Sequence, residues 1–102
     1  MVRFLIMYSQ PDDPEAFERH YWDVHIPLAK KLPGLRRYAI SRKARAIRGG
    51  QEYYLVAELD WDDMESLQRD FQSPEGRATA EDVAKLAPEG KVQSLVYEAE
   101  EI

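Results

Sequence analysis

At 102 residues and 11.9 kDa the chain is one small domain, and 44% hydrophobic with 32% charged residues excludes disordered and fibrous classes. Fourteen basic against nineteen acidic residues give a net charge of −5 and an isoelectric point near 5.0, which argues against a general nucleic-acid binder. Cysteine is absent, which removes disulfides, thiolate metal sites and cysteine nucleophiles together.

Residues 2–9 (VRFLIMYS) are rich in β-formers, with Val2, Phe4, Ile6 and Tyr8 on one face and Leu5 and Met7 on the other. No apolar run approaches the roughly 18 residues of a membrane span, and this opening lacks the layout of a secretory signal, so the expected address is the cytoplasm. Asp13-Pro14-Glu15 reads as N-cap, first-turn proline and first-turn acid of a helix. Its apolar stripe is predicted at Phe17, Tyr21, Val24 and Leu28, with a break or kink at His25–Ile26 imposed by Pro27. Leu32-Pro33-Gly34 ends that segment, a second strand is expected over 35–45, and Gly49-Gly50 marks a turn. A third strand is predicted over 53–61. Asp62 with Glu65 resembles a capping box opening a helix through Met64, Leu67, Gln68 and Phe71. Ser73-Pro74-Glu75 starts a further helix ending near Leu86-Ala87-Pro88, and residues 92–97 form the last strand. The order is β-α-β-β-α-β with the second helical region split, a ferredoxin-like α+β domain spanning 1–102.

Helices on a four-stranded sheet cover one face only, yet both faces carry bulky apolar residues: Tyr53, Leu55, Ala57 and Leu59 on one, Tyr54 and Val56 on the other. The predicted solution is a homodimer joined through the sheet faces, with higher oligomers built from such dimers as an alternative. Six basic residues without an acid fall between 35 and 48 (Arg36, Arg37, Arg42, Lys43, Arg45, Arg48). They read as a solvated strand edge that discourages edge pairing, or as a means of steering an anion.

His20 and His25 are five residues apart, about 140° around a regular helix, so a shared metal ion is not expected. His25 lies beside the helix break, where a side chain meets a cavity edge, and imidazole is the side chain suited to proton transfer near neutrality. A histidine that fills core space or caps the kink is the alternative, and His20 reads as solvated. Tyrosines 8, 38, 53, 54 and 97 fall on predicted strands, where each is a core residue or a pocket wall. No phosphate loop, dinucleotide fingerprint or serine-nucleophile elbow is present.

The segment Tyr21 to Tyr38, YWDVHIPLAKKLPGLRRY, resembles the signature of EthD-domain proteins. The resemblance extends upstream to Asp13-Pro14-Glu15-Ala16-Phe17 and downstream to Ser73-Pro74-Glu75-Gly76 with Asp82. It implies a dimeric α+β barrel, in which two ferredoxin-like subunits pack their sheets together. EthD itself is associated with a bacterial ether-degradation gene cluster. Related members include a methylmuconolactone isomerase and polyketide-modifying enzymes that act on aromatic or lactone compounds, usually without metal or cofactor. The isomerase's active-site histidine and tyrosine match His25 and Tyr38 here, whereas its cysteine has no counterpart.

The resemblance therefore implies an isomerase, cyclase or oxygenase acting on a small cyclic or aromatic catabolic or biosynthetic intermediate. His25 would be its acid or base, and Tyr38 a hydrogen-bond donor to a carbonyl or enolate oxygen. Tyr8, Tyr21, Trp22 and Tyr54 are expected to line a pocket between the first helix and the sheet, and Arg37 or Arg36 to hold a substrate carboxylate. Alternatives are a non-catalytic dimeric small-molecule binder and a haem-handling barrel with His25 as axial ligand. An RNA-recognition module is set aside, because EYYLVAELD lacks the aromatic RNP1 pattern.

Overall fold

The computed structural model describes residues 1–102. Its elements are β1 (Val2–Tyr8), α1 (Pro14–His20), a π-helical turn (Tyr21–His25), α2 (Ile26–Ala29), β2 (Arg37–Ser41), β3 (Leu55–Trp61), α3 (Met64–Gln72), α4 (Pro74–Leu86) and β4 (Val92–Glu98). The strands form one antiparallel sheet in the order β2-β3-β1-β4. This is the ferredoxin-like α+β arrangement, with all helices on one face. No helix is long and apolar enough to cross a membrane.

The alternation read from β1 holds: Val2, Ile6 and Tyr8 are buried toward the helices with Leu55, Ala57, Leu59 and Trp61 of β3. Three boundaries shift. Only Arg37–Ser41 form the second strand, because its partner β3 begins at Leu55 and Ser41 already pairs with Val56. Tyr54 lies in a bend just ahead of β3 and leaves the predicted parity. Its ring packs edge-on against Phe17, and its hydroxyl donates to Glu18 Oε2 at 2.7 Å, on the helix side of the sheet. Asp63, not Asp62, caps α3 by accepting Ser66 N–H at 2.8 Å. Asp62 pairs instead with Arg36.

The largest difference concerns the first helix, where a break or kink was expected and the chain instead stays helical through a π turn that ends at His25. Pro27 does not break it. A proline cannot donate the usual amide bond one turn back. The chain absorbs this with a π turn, in which Ile26 N–H reaches Tyr21 O five residues earlier. The extra residue in the turn moves the buried stripe to Phe17, Tyr21, His25 and Ala29, while Val24 is 40% exposed. His25 is thereby rotated into the core instead of sitting at the mouth of a break.

The uncovered sheet face is not uniformly apolar. Arg3, Arg37, Glu58 and Asp60 form an ion-pair network at one end, with Arg3 Nε donating to Asp60 Oδ1 at 2.8 Å. The other end carries Leu5, Met7, Val56 and Leu95, with Leu95 46% exposed.

Candidate active site

Two buried carboxylates organise the helical layer. Asp70, on α3, accepts Trp61 Nε1–H at 2.7 Å and Gly34 N–H at 2.9 Å, fastening the Leu32-Pro33-Gly34 turn over the end of the sheet. Gly34 suits this contact because a Cβ there would lie 2.9 Å from Asp70 Oδ2 and 3.1 Å from Trp61 Cδ1. Gly76, in the first turn of α4, packs so closely that a Cβ would enter the backbone of Asp70 and Phe71. Gly76 thus lets α4 close on the end of α3, and Gly34 lets the turn close on Asp70 and Trp61.

Asp82 is the second. It projects from α4 along the same face as Gly76, Thr79 and Leu86, is 4% exposed, and accepts two imidazoles. His25 Nδ1 lies 2.9 Å from its Oδ2; His20 Nε2 lies 2.9 Å from Oδ1 and 3.0 Å from Oδ2. His20 is therefore not simply solvated. The regular-helix angle between the two histidines does not apply, because the π turn lies between them and brings both to one carboxylate.

His25 is 2% exposed, and its ring stacks on Tyr21 at 5.4 Å and 22°. Burial pushes its imidazole below the ordinary histidine value, outweighing the lift from Asp82, and His20 lowers it further. Burial pushes Asp82 upward, but the bonds from His20 and His25 more than offset this and hold it below the usual carboxylate value. At neutral pH the arrangement is a neutral imidazole whose Nδ1–H donates to an ionised Asp82, leaving the Nε2 lone pair free to accept a proton. Nε2 makes no hydrogen bond within the chain.

His25 lines a cavity of about 200 Å³ between the helices and the sheet. The walls are mainly apolar, built from Phe4, Ile6, Leu32, Leu59, Phe71 and Val83. Ala80 of α4 and Ser94 of β4, both exposed, also border it, so the mouth lies between those elements.

Of the other residues expected from the sequence to act in or line the site, none borders this cavity. Tyr38 faces the helices and shares a 2.6 Å hydrogen bond with the Tyr21 hydroxyl, so it reaches His25 through the Tyr21 ring. Burial pushes the Tyr38 phenol up to about 12 and raises Tyr21 further, so both keep their protons. Tyr8 stacks edge-on against Phe17 and Tyr21, and its hydroxyl is buried without a partner. Trp22 lies 49% exposed beneath the Arg42 guanidinium, and Tyr54 is tied to Glu18. Arg37 sits on the opposite face of the sheet in bonds to Glu58 and Asp60, away from the cavity. Its alternative, Arg36, is paired with Asp62. Asp82 stands among the residues that carry the EthD resemblance but was given no role, although a second signal was present: an acid inside the apolar stripe of α4.

Fold and site together define a ferredoxin-like α+β protein with an Asp-His pair set over an apolar pocket. Residues 9–89 match the EthD domain, and the chain belongs to that family. An uncharacterized 11.0 kDa protein from the thcB-thcC intergenic region of Rhodococcus erythropolis is 34% identical over 90 residues, 88% of this chain and 87% of its own length. The crystal structure of an EthD family protein from Bacillus halodurans C-125 is 36% identical, with a TM-score of 0.86 over 98% of this chain and 99% of that one. SnoaB of Streptomyces nogalater, a cofactor-independent oxygenase, shares the fold at 17% identity, with a TM-score of 0.70 over 99% of this chain and 94% of that one.

Proposed function

We propose that the protein is an enzyme in which His25 removes a proton from, and returns one to, a compact cyclic or aromatic substrate held in the cavity. One observation carries this reading: a buried imidazole, held neutral and oriented by Asp82, borders an apolar cavity with its second nitrogen unengaged. Proton transfer at carbon or at a phenolic oxygen is common to isomerase, cyclase and oxygenase chemistry, and the SnoaB fold hosts a reaction of the last kind. The volume, about 200 Å³, lies below the roughly 300–1,000 Å³ of pockets for drug-sized ligands, which favours a single ring over a macrocycle. Asp82 orients His25 and balances the charge it acquires. Tyr21, fixed through its hydroxyl by Tyr38, supports the ring from one side.

The test begins with protein isolated from its own host. Native mass spectrometry should find a small organic adduct, and wild-type protein should convert that compound while His25→Gln, folded by circular dichroism, does not. A His25→Gln protein with undiminished turnover removes the proposal. Turnover by neither protein assigns the cavity to binding alone.

We infer further that the free sheet face is covered by a second copy of the chain. Leu95, 46% exposed beside Leu5, and Tyr97, 38% exposed beside Arg3, are the residues a partner would bury. Leu95→Asp is expected to halve the mass measured by analytical ultracentrifugation. A wild-type protein that sediments as a monomer overturns the inference.

A further inference from the structure

His20 touches the proposed machinery, yet the reaction described above gives it no part. It shares Asp82 with His25, and the two imidazoles differ in access to water: the side chain of His25 is 2% exposed and that of His20 is 30%. His20 also lines a separate open cleft of about 550 Å³, formed by α1, the π turn and the segment joining α4 to β4. The charged residues facing it there are Asp12, Asp13, Asp23, Arg19, Lys85 and Lys91, three acids against three bases. Asp12 and Lys91 are paired at 3.0 Å, so the cleft imposes no strong excess of either sign. The carboxylate joining the two rings is almost fully buried.

We propose that His20 is the solvent-facing half of a two-histidine pair in which Asp82 balances one imidazolium at a time, the proton on His20 leaving to the cleft as His25 takes one from the substrate. The proposal rests on the base role assigned to His25, but the sharing of a single charge is a property of the free protein. The reacting form is the one in which the shared proton sits on His20, Asp82 is ionised and His25 is neutral. The substrate's bond to hydrogen breaks, its electron pair stays on the substrate, and the proton forms a bond to His25 Nε2. His20 releases the proton on its outer nitrogen to water. The triad is neutral before and after, and the reverse sequence protonates the product. With both rings charged, two like charges a few ångströms apart would face one carboxylate in a poorly solvated site, a state the Coulomb term disfavours.

Imidazole nitrogen chemical shifts followed against pH in the full chain test this without any substrate. In the wild type, His20 should take up its proton at higher pH than His25. His20→Gln keeps an N–H donor for Asp82 but removes the competing cation, and should raise the His25 midpoint by about one pH unit. His20→Arg installs a permanent cation and should leave that midpoint at or below the wild-type value. If His20 only positions Asp82, glutamine does the same work and the midpoint does not move; that result overturns the proposal, as does a wild type in which His25 is protonated first. Should a variant fail to fold, the wild-type order of protonation and the other variant still decide. Failure here leaves the base role of His25 untouched, since turnover by His25→Gln judges it separately.

Discussion

Asp82→Asn is expected to lower kcat/KM by about 10²–10⁴-fold, the range typical of a lost acid-base contribution, with the fold retained. The reason is charge, not shape. An asparagine amide is close in size to the carboxylate and can still accept from one imidazole. Whichever way the amide is turned, the negative charge that balances a protonated His25 is gone. Burial already pushes this imidazole below its ordinary value, and Asp82 supplies the principal opposing effect. Without it, His25 becomes a weaker base in the same apolar surroundings. The pH profile should report this with a definite sign. In the wild type, activity should fall on the acid side as His25 is protonated, at a pH below the ordinary histidine value of 6.5. In Asp82→Asn that acid limb moves to still lower pH while the plateau drops. An unchanged kcat/KM would show that His25 does its work without its carboxylate partner, or that it does none.

Much of the fold was legible because its signals are local. The alternation of Val2, Ile6 and Tyr8, the caps at Asp13 and Ser73, and the turn at Leu32-Pro33-Gly34 each follow from neighbouring residues alone. Misreadings arose where long-range contacts decide. The residue that enters a strand is set by where its partner begins, so Tyr54 fell on the wrong face. Pro27 carries two compatible outcomes, a broken helix or a π turn, and packing of His25 and Ala29 against the rest of the core accompanies the second. The site shows the same division. His25 stood out through its residue type and its neighbour Pro27. Its partner Asp82 lies 57 positions away, and only tertiary structure joins them. The tyrosines were grouped by type, and the fold sets them at different removes from His25: Tyr21 lies against it, Tyr38 lies behind Tyr21, and Tyr54 lies beyond Phe17, bonded to Glu18.

Asp70→Ala is expected to destabilise the protein by about 1–3 kcal/mol, the cost of leaving the buried Trp61 indole donor unpaired, with a smaller addition from the half-buried Gly34 N–H. Trp61 Nε1–H and Gly34 N–H both donate to the Asp70 carboxylate, and Trp61 is fully buried, so water cannot replace the lost acceptor at the indole without entering the core. Against the roughly 5–15 kcal/mol that stabilises a typical domain, this is a large share for a chain of 102 residues. Gly34→Ala should act through the same contact from the other side, because its Cβ would press on Asp70 Oδ2 and on the Trp61 ring. Urea unfolding followed by tryptophan fluorescence should show lower midpoints for both variants with unchanged slopes. Asp62→Ala, which removes an exposed partner of Arg36, should leave the midpoint where it was. Equal midpoints for Asp70→Ala and wild type would mean that the turn is held by other contacts. The outcome bears on the cavity as well as on stability. The turn that Asp70 fastens begins at Leu32, which forms part of the wall around His25. An acid that does not border the cavity thus helps keep the apolar surroundings that hold His25 neutral, and loosening the turn should admit water to the imidazole before the chain unfolds.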